Sequence, residues 1–434
     1  MDILTTTAIL GVVLLVLLAG GLWIGLALMT VGFVAIDFFT PASAGSMMAT
    51  TLWDNSWGWA LTALPLFVWM GEILFRAKLS EDMFAGLAPW LDRLPGRLLH
   101  VNIVGCGVMA AVAGSSAVTA ATVGRMSLPE LKQRGYHENM SIGTLAGSGT
   151  LGLLIPPSIM MIVYGISAQQ SISRLFIAGV VPGLMIMGLF MGYVMIWSAF
   201  NGSAIPPAGP RLPLGEKLRR SRRLIPVLLL IIAVIGSIYG GIATPTEAAT
   251  LGVFGALALA WFSGALTWQS FSESLMAATR TSCMITAIIL GAAFLSVGMA
   301  FLGIPAALAK WVAAQGLSPA MLLVLLTLIY IVLGCFLEGA SMIVLTTSVA
   351  LPMVVQAGFD PIWFGIYLIV VVEMAQLTPP VGFNLFVLHG MTGRDMWTVT
   401  KASIPFFGLL ILGVTLLALV PGLATFLPNL MLSR

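Results

Sequence analysis

Residues 127–136 read SLPELKQRGY and residues 350–359 read ALPMVVQAGF. Leu, Pro, Gln and Gly coincide in the two stretches, and Tyr136 falls on Phe359, at a shift of 223 (350 minus 127). The same shift carries Pro156-Pro157 onto Pro379-Pro380 and Pro182 onto Pro405. It also carries GSSAVTAATVG, from Gly114, onto LEGASMIVLTT, from Leu337. A register held from Gly114 to Pro182 without a gap marks two related structural repeats, roughly 57–200 and 281–422. Such internal repeats are a habit of membrane transporters.

Composition places the repeats in a bilayer. Of 434 residues 59% are hydrophobic and 8% charged, with a mean hydropathy of +1.06. Soluble domains average about 25% charged residues, so this chain lacks the polar surface that water requires. That excludes a soluble enzyme or a nucleic-acid binder, and the net charge of +3 reads as clustered topology signals. The N-terminal stretch MDILTTTAILGVVLLVLLAGG has neither a basic n-region nor a small-residue cleavage site, and is expected to be a retained first helix. Cys106, Cys283 and Cys335 lie far apart in apolar segments, where packing is the expected role.

A crossing needs about 20 apolar residues, and the candidates are 4–19, 22–38, 57–76, 138–168, 174–200, 224–241, 246–264, 281–302, 361–390 and 403–421. Segments 99–135 and 318–357 are long enough for two passes each, and each has a small-residue break, at Gly114-Ser115-Ser116 and at Gly339-Ala340-Ser341. Charge decides how they run. The stretch holding Arg211, Lys217, Arg219, Arg220, Arg222 and Arg223 makes loop 201–223 cytoplasmic. If both segments are re-entrant hairpins, Arg76, Lys78, Arg93, Arg97, Lys132, Arg134, Arg280, Arg394 and Lys401 share its side, leaving Arg174, Lys310 and Arg434 outside. A straight crossing at 99–135 would weaken that bias. The hairpin reading makes the halves inverted, with both chain ends outside. The expected fold is thus an all-α integral membrane protein with inverted structural repeats, two re-entrant helical hairpins and two broken helices.

The expected organisation is an N-terminal helical part (1–56), repeat 1 (57–200, with hairpin 99–135 and broken helix 138–168) and the basic loop (201–223). Central helices (224–280), repeat 2 (281–422, with hairpin 318–357 and broken helix 361–390) and a tail (423–434) follow.

Backbone freed by a broken helix at membrane depth must be buried in protein or line a polar cavity. Besides the tips, breaks are expected over Gly149–Gly152 through Ile155–Ser158, and over its mate Gln376–Gly382, because Pro-Pro removes two N–H groups yet suits the first turn of a new helix. Unwound carbonyls and Ser/Thr oxygens suit a hard cation such as sodium, and half-helix N-termini suit a carboxylate. Candidate sodium ligands are Ser115, Ser116, Gly149 and Thr150 in the first half and Gly339, Ser341, Gln376 and Thr378 in the second. Candidates for the substrate wall are Thr119, Pro157, Pro380 and Asn384. Small residues also let helices pack closely, but their recurrence beside the Pro-Pro breaks in both halves favours a site. No catalytic constellation is present, and sodium is the one metal expected.

Ionisable residues at this depth are suspects by default. Glu338, the mate of Ser115, has three open roles: cation ligand, proton carrier or structural part of the tip. Glu72 and Glu373 lie within spans, where pairing with a neighbour is the plainer role. Thr244 to Glu247 in TPTEAAT reads as a capping box. His100, His137 and His389 sit near membrane edges as interfacial groups, and the HEN at 137 is no zinc motif because position 141 is Ser.

GSSAVTAATVG at 114–124, GTLGLLIPPSIMMIVYG at 149–165, TPTEAA at 244–249 and TPPVGFNLFV at 378–387 together resemble the large membrane subunit of tripartite ATP-independent periplasmic (TRAP) transporters, the DctM-like proteins. Arg125 departs from that pattern, where a small or apolar residue is expected. The resemblance implies an elevator-type transporter of the ion transporter superfamily kind, whose hairpins and broken helices slide against a scaffold of the other helices. It also implies symport with sodium (Na+), a small four-helix membrane partner encoded as a separate polypeptide, a periplasmic substrate-binding protein, and a multi-pass place in the bacterial inner membrane. The implied substrates are organic acids, among them dicarboxylates, keto acids, sugar acids and sialic acid. No GxxxxGK[ST] sequence is present for ATP. The alternatives are a stand-alone sodium/dicarboxylate symporter of the divalent-anion family, a passive channel, and an intramembrane protease, against which the lack of HExxH and GxGD sequences counts.

Overall fold

The computed structural model describes residues 3–77, 79–207, 209, 212–222, 224–379 and 382–432. Among them the regular structure is helical throughout. The chain opens with α1 (Ile3–Ala19), α2 (Ile24–Phe39), α3 (Ala44–Ser56), α4 (Trp59–Arg76) and α5 (Leu79–Leu91). Hairpin one is α6 (Leu99–Ala113) and α7 (Ser116–Gln133), and the first broken span is α8 (Glu138–Leu154) and α9 (Ile159–Ser167), bent by 43°. Then come α10 (Ile172–Phe200), α11 (Leu214–Ser221), α12 (Ile225–Tyr239), α13 (Pro245–Phe262), α14 (Trp268–Phe301) and α15 (Ile304–Ala314). Hairpin two is α16 (Pro319–Gly334) and α17 (Gly339–Gln356), and the second broken span is α18 (Pro361–Ala375) and α19 (Phe383–Thr392). The described chain ends with α20 (Met396–Leu419) and α21 (Gly422–Leu432).

Among the described residues, six helices are long and apolar enough to cross a membrane, or up to eight if each of two bent pairs counts as one span. Their outward faces carry residues such as Ile232 (65% exposed) and Phe254 (67% exposed). Apolar side chains so widely exposed are compatible with lipid rather than water.

The shift of 223 survives in three dimensions. It carries Gln133, the end of α7, onto Gln356, the end of α17, and Glu138, the start of α8, onto Pro361, the start of α18. The N-cap residues Ser115 and Glu338 correspond, and Pro182 and Pro405 both lie inside long helices. The inversion is legible from contacts. His137 packs on Trp197 with ring centroids 5.6 Å apart, so the open end of hairpin one lies level with the end of α10 and the basic loop. Tyr164 near the far end of α9 donates to the Pro361 carbonyl at 2.7 Å, so the open end of hairpin two lies at the opposite end of the bundle.

Several boundaries differ from expectation. The second tip unwinds over Cys335–Glu338, and Gly339, Ala340 and Ser341 form the first turn of α17. A carboxylate cap starts that helix, so its small residues need not break it. Gly149, Thr150, Leu151 and Gly152 are helical, and the first broken span unwinds only over 155–158. The boundary at 280/281 falls inside α14, and the tail is mostly helix α21. Arg76 does share an end with Glu273, from which it is 3.8 Å away, while its nearer partner is Glu72 one turn back. The Thr244–Glu247 capping box forms as expected.

Outside the hairpins, α2 packs along α14 and α4 along α13. The first contact is backbone on backbone: a Cβ at Gly291 would stand 2.3 Å from the Gly25 carbonyl oxygen. Gly291→Ala is therefore expected to force α2 and α14 apart and cost about 2 kcal/mol, as overpacking of a tight interior does. Thermal unfolding in detergent checks this, with Gly188→Ala, where nothing lies within 4 Å, as the neutral control. Equal midpoints for the two variants would contradict the contact.

Candidate functional site

Tip one is made by its sequence. Gly114 takes the left-handed conformation (φ 58°) that ends α6, its N–H bonding the Ala110 carbonyl at 3.1 Å, and Ser115 starts α7 in extended conformation. Tip two is closed by Glu338, whose carboxylate accepts from the Ala340 N–H (3.0 Å), the Ser341 N–H (3.4 Å) and the Ser341 hydroxyl (3.2 Å). Of the three open roles for Glu338, this is the structural one: a negative group satisfies the free N–H groups of a helix start.

The breaks are satisfied internally. Ser158 donates back to the Leu153 carbonyl and accepts from the Met161 N–H at 3.4 Å, bridging α8 and α9 across the cis Pro156-Pro157 bond. In the second broken span Thr378 donates to the Ala375 carbonyl at 2.5 Å, and the Cys335 thiol at tip two donates to the Pro379 carbonyl at 3.1 Å. Cys335 thus joins tip two to the break beside it. Cys106 is buried and Cys283 exposed.

One side chain joins the two halves. The Gln376 carboxamide oxygen accepts from the Ser116 hydroxyl at 2.8 Å, with both residues buried. Its nitrogen stands 2.8 Å from where a Cβ on Gly339 would lie. Gln376 of the second broken span therefore stands between tip one and the first turn of tip two's helix.

Around it lies a cavity of about 200 Å3 lined by Ser115, Ser116, Glu338 and Gln376, with Leu153, Ile159 and Phe383 from the helix halves beside the breaks. Its opposite wall is Gly71 and Glu72 of α4 and Thr281 of α14. Among the twelve expected site residues, Ser115, Ser116 and Gln376 line this cavity. Gly339 and Ser341 reach it through Gln376 and Glu338. The Pro157 carbonyl faces tip one, 3.1 Å from the Cβ position of Gly114. Thr378 is turned to Ala375 and lies within 3.8 Å of the Cys335 sulfur. Pro380 lies outside the described residues.

Four candidates lie behind the cavity. Gly149 packs against Ala120, its Cβ position 2.8 Å from that methyl. Thr150 is buried and donates to the Gly147 carbonyl at 2.6 Å, as helical hydroxyls do. Thr119 and Asn384 are fully buried with no hydrogen-bond partner for the Thr hydroxyl or either Asn amide atom. Leaving a buried polar group unsatisfied costs about 1–3 kcal/mol, so these two are the candidates most in need of a ligand.

Sequence reasoning missed the far wall, because Gly71, Glu72 and Thr281 come from helices that carry no break. It also expected Glu373 to pair with a neighbour. The structure gives it no ion pair among the described residues: Glu373 is fully buried in α18, beside Thr150 and the Leu153 backbone, without a well-formed hydrogen bond to either oxygen. A carboxylate so placed requires a counter-charge, either a cation or its own proton.

Inverted repeats, two hairpins ending inside the bundle and two broken spans meeting at a shared cavity define a multi-pass membrane transporter. The comparisons agree. A family model described as "Tripartite ATP-independent periplasmic transporter, DctM component" matches residues 11–423, and the chain belongs to that family. It is 32% identical over 399 residues to the C4-dicarboxylate TRAP transporter large permease protein DctM of Pseudomonas aeruginosa, covering 92% of each chain. It is 29% identical over 421 residues to the sialic acid TRAP transporter large permease protein SiaM of Vibrio cholerae, covering 94% of this chain and 97% of that one. The crystal structure of the YdaH transporter of Alcanivorax borkumensis shares the fold, with a TM-score of 0.61 at 13% identity over 94% of this chain and 96% of that one. Like these relatives the chain is a transporter permease and not an enzyme.

The Ser116–Gln376 bond yields a direct test. Ser116→Ala and Gln376→Ala are each expected to destabilise the folded protein, and a double-mutant cycle to return a coupling of about 1 kcal/mol, the net worth of one buried hydrogen bond. Additive effects in the cycle would mean the halves are not joined there.

Proposed function

We propose that the chain is the large permease subunit of a sodium-coupled TRAP transporter of the bacterial inner membrane, importing an organic acid delivered by a periplasmic binding protein. The observation that carries this is the cavity held between two tips and two breaks on one side and α4 and α14 on the other. Sodium is assigned to the oxygens of the tips and linkers, with Ser115, Ser116, Ser341, Gln376 and Thr378 the candidate side chains. Gly339 is kept as a main-chain ligand, whereas Gly149 and Thr150, being helical, are the weaker candidates. Thr119, Asn384 and the Pro157 carbonyl are assigned to the substrate wall, and Pro380 stays with them as its mate by sequence.

The movement we assign is an elevator. Hairpins and broken spans would travel together along α4 and α14, carrying the cavity from one face to the other. Supporting this, α7, α8 and α19 pack on one another, as do α9, α17 and α18, while α2, α4, α13 and α14 form their own contacts. The groups meet where α4 packs on α6 and α9 and α14 on α17, and their backbones come close at Gly71, whose Cβ position lies 3.0 Å from the Val112 carbonyl just below tip one. A small four-helix membrane subunit is the proposed partner of the scaffold. The stand-alone symporter is the weaker reading, since the family match runs along nearly the whole chain and the relatives are named large permeases.

Reconstitution with the small subunit and the binding protein tests the proposal. Uptake of a carboxylate is expected only with all three proteins and an inward sodium gradient. Uptake by this chain alone would point to the symporter, and gradient-independent flux to a channel. Thr378→Val is expected to raise the sodium concentration for half-maximal uptake about tenfold, the effect of losing about 1.4 kcal/mol of binding. An unchanged sodium dependence would remove Thr378 from the ligand set.

A further inference from the structure

A second cavity, of about 690 Å3, lies apart from the central one. It is bounded by the second half of α7, by Tyr136, by the first turns of α8 and by Met391 and Thr392 at the end of α19. The His137–Trp197 contact puts it at the end of the bundle that carries the basic loop.

Its charge is one-sided. Arg125 and Lys132 line it and are exposed, and among the described residues neither has an ion pair. Glu138, the acidic residue of the lining, is held by Arg394 through two hydrogen bonds of 2.7 and 2.8 Å. Glu130, on the same helix as the two cations, is held by Arg134 at 2.6 Å. The Arg125 guanidinium sits 5.3 Å over the Phe75 ring of α4.

A polar row leads there from the tips. On successive turns of α7, Thr119 and Thr122 are buried with unpartnered hydroxyls, and the next residue at that spacing is Arg125. From α19, which packs on α7, Asn384 adds its unpartnered amide. The row is closed by apolar groups at Gly124, whose Cβ position lies 2.6 Å from a Leu145 methyl and 2.8 Å from the Met391 methyl.

We infer that this cavity is the exit vestibule on the basic-loop side, a binding site for a small carboxylate after it leaves the central cavity, with Arg125 and Lys132 as the groups that hold it. The inference rests on the organic-acid reading above. Two cations without an ion pair among the described residues concentrate anions at a concave surface, and a guanidinium offers a planar fork that matches a carboxylate. The Gly124–Leu145–Met391 contact is the barrier between the two cavities.

The test is thiol labelling at Thr392→Cys in the whole transport complex, in lipid nanodiscs, with the labelled peptide quantified by mass spectrometry so that the native cysteines stay. A sulfonate-bearing methanethiosulfonate is expected to react about tenfold faster than a trimethylammonium one, as in a positive cleft, and succinate or 2-oxoglutarate to slow it. In Arg125→Gln/Lys132→Gln the rate ratio should fall near one and the protection vanish, while Arg125→Lys keeps most of both. Lys132→Gln alone, at an exposed position where folding is not at risk, should show part of the same change. An unchanged ratio in the double variant, or no slowing by either carboxylate, overturns the inference. So does protection that appears in neutral-lipid discs and disappears with phosphatidylglycerol, since a headgroup then owns the site. Sodium-driven uptake on the same preparations separates the two readings. Uptake without protection sinks the vestibule alone, and protection without uptake sinks the coupled-transport reading alone.

Discussion

Hydrocarbon supplies no hydrogen bonds, and every interrupted helix in this chain is answerable to that fact. Among the described residues the helices are interrupted inside the bundle at four places, and at each the protein's own groups answer part of the interruption. Gly114 turns back on Ala110, Ser158 on Leu153, Thr378 on Ala375, and Glu338 takes the N–H groups at the start of α17. What remains is shared between halves, through Gln376 and Ser116. A site assembled this way stays polar only while the four interruptions remain together, which ties the integrity of the cavity to the packing of both repeats.

The two halves keep the same helix ends and differ in how they cap them. At corresponding positions, Ser115 makes no side-chain cap and Glu338 makes three contacts. The first break is short, two prolines followed by a capping Ser, whereas the second opens at Gln376 and resumes at Phe383 after a left-handed Gly382 (φ 35°). Pseudo-symmetry of the backbone therefore does not make two equal sites. The first half brings the hydroxyls of tip one and the Glu72 carboxylate, which Arg76 pairs, to the cavity, and the second brings the Glu338 carboxylate and the Gln376 carboxamide.

The architecture was legible in the chain because an inverted repeat leaves its trace as a constant shift, and prolines and glycines preserve it through divergence. The class of hairpin and the pairing of breaks followed from that shift and from the basic clusters. The misplaced breaks have one cause. Glycine serves both where a helix must stop and where a neighbour must come close, and sequence does not separate the two. Gly149 and Gly152 were read as a break, yet they remain helical so that Ala120 and the Ser115 carbonyl can approach; a Cβ at Gly152 would sit 2.6 Å from that oxygen. Gly339 was read as a tip, although Glu338 caps the helix it begins. The wall formed by Glu72 and Thr281 was invisible for a different reason, since nothing local distinguishes a helix face that meets a cavity from one that meets another helix.

Glu373 adds a step to the picture of what holds the two broken spans together. It lies where α18 packs on the end of α8, next to Thr150 and the Leu153 backbone. A fully buried carboxyl group with no ion pair among the described residues resists any rearrangement that would strip it of its polar surroundings without offering others. The Phe406 ring, packed on Gly147 and on Phe190, closes α20 and α10 over the same region. The two broken spans are thus joined to each other through a contact whose polar centre is expensive to open, while α4 packs on α6 and α9, and α14 on α9 and α17, around the central cavity.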